Sequence, residues 1–319
     1  MNAAIVDSYE KPPRYGTFED PVAGDGEVLV KVIAAGLHPI VRALAKGTHY
    51  GSTGQLPLIP GVDGVGRLPD GTRVVFGPTR PPYGSFAELS VSRSVVCTPI
   101  PEGLDDATVA AMLNPGMSSW GALQHRAHFV AGESVLILGA TGSAGKMAVQ
   151  IAKRMGARRV VAVGRDADAL EETKALGADA TISLKQDHNA LVASLREEIA
   201  GEKTDVVLDY VWGAPAEAVL AAIAQKGLDH KSWRLRYVQI GNMAGPTITL
   251  EAQILRSTGL EMMGSGFGSV SMEKIFDSLR GILQEAAKRP FKIEIRTAPL
   301  KDVERLWEAK EEARLVFLP

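Results

Sequence analysis

The stretch Gly139-Ala-Thr-Gly-Ser-Ala-Gly145 places three glycines within seven residues, between the apolar run Ser134-Val-Leu-Ile-Leu138 and an amphipathic segment. A turn built of such small residues lets backbone N–H groups approach a pyrophosphate, and a helix beginning there adds its own unsatisfied donors. That helix is marked by Ala144, Met147, Ala148, Ile151, Ala152 and Met155, one apolar stripe at i, i+3, i+4 spacing. The chemistry expected of Ala140, Thr141, Gly142, Ser143, Ala144 and Gly145 is therefore the binding of a dinucleotide's phosphates. Two other readings compete. Gly145-Lys146 matches the end of a G-x-x-x-x-G-K-[ST] phosphate loop, but Met147 stands where a magnesium-binding hydroxyl belongs and Ala140 where that loop has its first glycine. The other is a strand–turn–helix corner that binds nothing. The turn also departs from G-x-G-x-x-G, because Ala140 holds the first position and Gly139 sits just before it.

A second position sorts the dinucleotides. In such a fold an acidic residue ending the second strand accepts hydrogen bonds from the ribose hydroxyls and repels a 2′-phosphate, whereas arginine attracts the phosphate. Here Val160-Val-Ala-Val163 is followed by Gly164 and Arg165, the small-then-basic pattern expected for NADPH. Asp166 comes one residue later, where it suits the N-cap of a helix starting at Ala167.

These residues need a scaffold. A length of 319 residues favours two domains, and 45% hydrophobic with 23% charged residues is ordinary for a globular protein. The net charge of −2 gives no reason to expect nucleic acid or an anionic membrane as partner. No apolar run reaches the roughly 18 residues a membrane span requires. The start Met1-Asn-Ala-Ala-Ile-Val-Asp7 reads as a first strand rather than a signal peptide. Cys97 is the only cysteine, so an intrachain disulfide or thiolate-rich metal site cannot form. Together these features predict a cytoplasmic protein.

Up to about Leu113, short β-rich runs (Glu27–Ala34, Thr72–Phe76, Phe86–Val91) alternate with Gly and Pro clusters, which predicts a rolled sheet or partly open barrel. A helix is expected to start over Asp105–Met112 and to be broken by Asn114-Pro115-Gly116. Beyond Met117 the pattern becomes β-α-β. Strands are expected at Ser134–Leu138, Arg159–Val163, Ala180–Ile182, Asp205–Val211, Leu235–Ile240 and Leu260–Gly264. Helices are expected at Ala167–Leu176, His188–Ala200 and Ala214–Ala224, giving a doubly wound parallel sheet. A helix near Met272–Lys288, a strand at Lys292–Arg296, a helix at Val303–Ala313 and a strand at Leu315–Leu318 form a tail expected to return to the first domain.

Read in order, Gly26-Glu-Val-Leu-Val30, Ala35-Gly-Leu-His-Pro39, Pro60-Gly-Val-Asp-Gly-Val-Gly66, Gly84-Ser-Phe-Ala-Glu88, the phosphate turn, Asp205-Val-Val-Leu-Asp209 and Gln239-Ile-Gly241 resemble the medium-chain dehydrogenases/reductases. Over essentially the whole chain the similarity is to their zinc-independent quinone oxidoreductase branch. The resemblance implies an α/β fold: a Rossmann doubly wound parallel sheet domain plus a discontinuous, partly open β-barrel (GroES-like) catalytic domain. It implies a catalytic domain over residues 1–116 and 285–319, an NADP-binding domain over 117–284, an active site in the cleft, and a homodimer joined near Leu260–Gly264.

The resemblance also permits a test for zinc. At the zinc branch's first thiolate, histidine and second thiolate positions this chain has His38, Val62 and Asn114, with Asp63 at the acidic neighbour. A catalytic zinc takes three N, S or carboxylate ligands plus an open site, so no metal is expected. His125 and His128, three apart on an expected helix, lack a third ligand. Without a Lewis acid, alcohol oxidation is disfavoured. Reduction of a quinone or an α,β-unsaturated carbonyl or enoyl compound needs only alignment, exclusion of water and stabilisation of a developing oxygen anion.

A phenol can supply that stabilisation. Tyr50, in Lys46-Gly-Thr-His-Tyr50, lies in a loop resembling the family's active-site loop, although His49 could hold the same position. His38, where most relatives carry Asn, is the second catalytic candidate. The resemblance assigns a hydroxyl for the nicotinamide half to Ser118, and the nicotinamide end to Ile240, Gly241, Asn242 and Met243 together with Gly266 and Phe267. The resulting expectation is an NADPH-dependent oxidoreductase acting on an apolar or aromatic small molecule. The alternative is an NADPH-binding structural or regulatory protein with little turnover.

Overall fold

In the computed structural model, which describes residues 1–224, 233–309 and 313–319, the first elements are β1 (Asn2–Ile5), β2 (Arg14–Thr17), β3 (Glu27–Gly36), α1 (Pro39–Ala45), β4 (Gly64–Arg67), β5 (Arg73–Phe76), β6 (Leu89–Arg93), β7 (Thr98–Pro99) and α2 (Asp106–Gly121). An alternating series follows: β8 (Ser134–Leu138), α3 (Ser143–Arg154), β9 (Arg159–Gly164), α4 (Ala167–Leu176), β10 (Ala180–Ser183), α5 (His188–Arg196), β11 (Val206–Asp209), α6 (Gly213–Ile223), β12 (Arg234–Gln239), α7 (Ala252–Ser257) and β13 (Gly259–Gly264). The chain closes with α8 (Met272–Lys288), β14 (Ile295–Pro299), α9 (Val303–Leu306) and β15 (Arg314–Leu318). Two compact units result, one of Met1–Asn114 with Leu279–Pro319 and one of Pro115–Ser278.

The second unit holds a six-stranded parallel sheet in the order β10-β9-β8-β11-β12-β13. In this unit's own sequence order that is 3-2-1-4-5-6, the doubly wound arrangement whose direction reverses between β8 and β11. Every residue of β8 and β11 is buried, which is why both read as continuous apolar runs rather than alternating ones. The predicted stripe of α3 does cover the sheet: Met147, Ala148, Ile151 and Ala152 are buried.

In the first unit, β14-β15-β3-β4-β5-β7 form a seven-stranded sheet with β6, which also pairs with β3, and β1 pairs with β2. β3 is ten residues long and serves three partners along its length, with a register shift between Val32 and Ala34 that bends it. The C-terminal strand β15 pairs antiparallel with β3 through Val316–Gly36 and Phe317–Ala35, so distant parts of the chain share one core. Phe86 sits edge-on to Trp307 (6.1 Å) and Phe317 (5.5 Å) within it.

Three expectations are corrected. The break at Asn114-Pro115-Gly116 does not occur, and α2 runs from Asp106 to Gly121 with Pro115 inside it. An interior proline costs about 3 kcal/mol, but Val109, Met112 and Leu113 on the same helix are fully buried at about 1.5–3 kcal/mol each, so packing overrides the local preference. Strand β14 starts at Ile295 rather than Lys292, in parallel register with β15. Helix α9 covers Val303–Leu306, and residues 310–312 of the helix expected up to Ala313 lie outside the described residues.

Candidate functional site

The glycine turn lies between β8 and α3, on the carboxyl side of the sheet at the point where strand order reverses. Brackets of backbone fix its shape. Gly139 adopts φ 85°, and the Gly139 and Ala140 N–H groups both donate to the Val163 carbonyl at the end of β9 (2.9 and 3.0 Å). Because the left-handed residue comes one position early, Ala140 can carry its Cβ into the buried interior. Gly145 has no such freedom: a Cβ there would come well inside 3.0 Å of the Gly139 carbonyl and Ala140 Cα. Gly142 caps α3 in an extended conformation with no side-chain cap, so the donors of the first helical turn are left to a ligand or water. The phosphate-loop alternative finds no footing, since Lys146 ion-pairs with Glu172 of α4 and Met147 is buried.

The neighbouring strand ends crowd the same spot. A Cβ on Gly164 would meet Thr141 Cγ2 at 2.5 Å, and one on Gly241 would meet the Tyr210 carbonyl oxygen at 2.6 Å. Arg165 is exposed one residue beyond β9. Asp166 caps α4 as anticipated, its Oδ1 accepting from the Ala169 N–H at 2.9 Å, which leaves Arg165 as the basic group at that strand end. Asn242, Met243, Gly266 and Phe267 are exposed, while Ile240 and Gly241 are half-buried.

Ser118 Oγ donates to the Pro115 carbonyl at 3.0 Å. The adjacent Ser119 does the same at 2.7 Å and also lies 2.7 Å from Tyr210 Oη. A hydroxyl has one proton, so Tyr210 is the donor in that last bond. Burial pushes the Tyr210 phenol up to about 12, with Ser119 and Ser118 opposing the shift. At the same strand end Asp209 Oδ1 accepts from the Val211 and Trp212 N–H groups (2.8 and 2.9 Å), and Oδ2 from Tyr237 Oη (2.7 Å). Burial raises the Asp209 carboxyl against these three bonds, and raises Tyr237 together with the adjacent Asp209. Sequence reasoning missed Ser119, Tyr210 and Trp212. The only available signal was that an apolar strand ending Asp-Tyr must find partners for two buried polar side chains.

In the first unit, Tyr50 is 71% exposed and its ring stacks on His49 with centroids 4.1 Å apart. His49 Nδ1 accepts from the Gly51 N–H at 3.0 Å, and partial burial lowers its imidazole. His38, at the start of α1, is fully buried. Burial first, and then the Arg314 guanidinium, hold it well below the usual histidine range. The Ala110 backbone opposes that shift, and neither ring nitrogen has a side-chain hydrogen-bond partner among the described residues. Asp63 Oδ1 lies 4.0 Å from His38 Nε2, and burial raises that carboxyl to about 7. This pair falls short of a zinc centre, because Val62 offers no donor. Among the described residues no group of three or more His, Cys, Asp or Glu side chains could hold a metal. His125 lies on the π-helical turn Ala122–Arg126 that continues α2, 3.6 Å from Asp277, whereas His128 has φ 50° and lies beyond the helix.

Comparison with known proteins bears on the family and the fold. A family model described as zinc-binding dehydrogenase matches residues 144–285. A curated relative from Emericella nidulans, "Probable NADPH-dependent quinone reductase tdiC", is 28% identical over 100% of both chains. The chain is thus similar to medium-chain dehydrogenases/reductases, and among them to quinone oxidoreductase-like members. A second member, a trans-enoyl reductase from Aspergillus terreus, is 29% identical over 60% of this chain and 59% of its own length. The quinone oxidoreductase of Thermus thermophilus, solved also with NADPH, superposes over 100% of both chains with a TM-score of 0.80 at 24% identity, a likeness of fold. The Rossmann-type sheet and the barrel-like unit share the fold of that structure.

Proposed function

We propose that the protein is an NADPH-dependent oxidoreductase that reduces a quinone or an α,β-unsaturated carbonyl or enoyl acceptor without a metal. The observation that carries this reading is the uncapped glycine turn at the sheet's reversal point, with Arg165 exposed beyond the neighbouring strand. The names of the relatives point the same way. The turn Ala140–Gly145 would seat the pyrophosphate and Arg165, beside Gly164, the 2′-phosphate. Ile240–Met243 with Gly266 and Phe267 would line the nicotinamide end, and the Ser118 hydroxyl would bond to it. When bound, NADPH supplies the hydride.

Tyr50 is the group proposed to donate a hydrogen bond or proton to the oxygen of the acceptor as charge develops there. His38 is the second candidate, a fully buried imidazole whose ring nitrogens have no side-chain hydrogen-bond partner among the described residues. The donor set around His38 and Asp63 supports metal independence. The same reading takes the protein to be cytoplasmic and a homodimer joined along β13, which among the described residues has a paired neighbour on one side only. Equilibrium sedimentation tests the dimer.

NADPH oxidation against a panel of quinones, 2-alkenals and enoyl thioesters tests the activity. Tight NADPH binding with no turnover on any of them would replace this reading with that of a non-catalytic NADPH binder. Tyr50→Phe should abolish enone reduction and leave NADPH affinity unchanged; unchanged turnover removes Tyr50 from the mechanism.

A further inference from the structure

Trp212 has φ 57° and ψ −157°, a backbone state essentially reserved for glycine. It is held there rather than tolerated in a loose loop. The buried Asp209 carboxylate grips the Val211 and Trp212 N–H groups with one oxygen and the Tyr237 hydroxyl with the other. From the opposite side, the Ala244 N–H donates to the Val211 carbonyl at 2.7 Å. A glycine would fit this turn at lower cost, so the indole is the feature the turn is built to present.

The indole meets the Tyr237 ring edge-on at 6.3 Å and lines one side of an open surface cleft of about 400 Å³. The rest of the lining is Gln239, Asn242, Pro246 and, from the strand proposed above as the dimer edge, Met262, Met263 and Gly264, so a partner copy would border the same site. An indole, two thioethers and a proline favour a flat, polarisable ligand, and the two amides can bond a carbonyl oxygen. No lining residue is charged, so a phosphate or carboxylate finds no counter-ion there. Gln239 Nε2 is already engaged, donating to the Gly241 carbonyl at 3.0 Å. Asn242 belongs to the loop assigned above to the nicotinamide end, so the cleft borders that site.

We infer that Trp212 is a specificity-determining residue, its indole walling a subsite for a flat, uncharged, carbonyl-bearing ring of the acceptor. The inference rests on the reductase reading proposed above for the placement of that subsite. It assigns to this turn a role in acceptor choice beyond the binding of the cofactor.

The test uses full-length protein saturated with NADP⁺, which cannot turn over, titrated calorimetrically with 1,4-naphthoquinone. Trp212→Gly should raise the Kd by about tenfold or more, and Trp212→Leu, which keeps apolar bulk without a ring, should do the same. Trp212→Phe should stay within about threefold, and NADP⁺ affinity should change by less than about twofold in all three. The glycine variant suits the backbone angles, so it separates loss of the ring from loss of the fold. The inference is overturned if Trp212→Gly and Trp212→Leu bind naphthoquinone as wild type does, if NADP⁺ affinity falls in parallel, or if wild type does not bind it. Wild-type binding lost in both variants, without NADPH-driven reduction of any acceptor, would refute the reductase reading and leave the indole-walled site standing.

Discussion

Gly145 and Gly142 stand three residues apart in the phosphate turn, and alanine at each should fail in a different way. At Gly145 the new methyl meets backbone on two sides, the Gly139 carbonyl and Ala140 Cα, and neither can swing away as a side chain would. Overpacking of this kind costs roughly 1–3 kcal/mol, and the better helix propensity of alanine returns about 1 kcal/mol at most. A net loss of about 1–2 kcal/mol lowers the melting temperature by roughly 2–8 °C for a unit of this size. At Gly142 the nearest atom to a Cβ is the Gly139 carbonyl oxygen at 3.7 Å, and φ is −77°, so the apo-protein should melt within about 0.5 kcal/mol of wild type. That methyl would instead stand where a pyrophosphate approaches, raising the NADPH Kd by about tenfold, or ~1.4 kcal/mol. Scanning calorimetry without cofactor and a fluorescence titration with NADPH measure the two effects. Gly145→Ala melting with wild type would refute the packing argument. Gly142→Ala binding NADPH undiminished would refute the placement of the phosphates.

Arg165→Glu should weaken NADPH binding by about tenfold or more and leave NADH nearly unchanged, since only the former has a 2′-phosphate; equal effects on both remove Arg165 from the site. Asp63 has a raised folded-state pKa of about 7, so its contribution favours the fold below about pH 4 and is lost as pH rises through 7. The unfolding free energy of Asp63→Asn relative to wild type should therefore grow between pH 4 and 7, by up to about 4 kcal/mol. A difference independent of pH contradicts the assigned burial. His38 acts in the opposite sense, its lowered pKa withdrawing stability as pH falls below about 6.5. Tyr237→Phe leaves Asp209 Oδ2 buried without its donor and should cost about 1–3 kcal/mol by denaturant titration, whereas an unchanged midpoint would mean the bond is not made.

The parallel sheet was legible because its strands are buried on both faces and its helices carry stripes of ordinary period. β8, α4 and α8 begin and end at the predicted residues. The Asp166 cap was legible too, being a local bond between residues three apart. Pro115 misled because a single residue's propensity says nothing of how much apolar surface its helix buries. The Asp209 and Tyr210 networks were beyond reach for another reason. Their partners Tyr237 and Ser119 are 28 and 91 residues away, and no local pattern encodes that meeting. Trp212 has a conformation that only a backbone angle reveals.

The pairing of β15 with β3 bears on how the protein is made. The Arg314 guanidinium donates to the Leu37 carbonyl across 277 residues of chain, and Val316 and Phe317 complete the edge of β3 beside it. At about 5–20 residues per second, a ribosome that has delivered Leu37 needs on the order of 15–55 s to deliver Arg314. All of Pro115–Ser278 emerges within that interval and can fold on its own schedule, while the first strands to appear keep an edge open for the last. The earliest-synthesised unit is thus the last to be finished, and during that wait it is the one to need shelter from other unfinished chains.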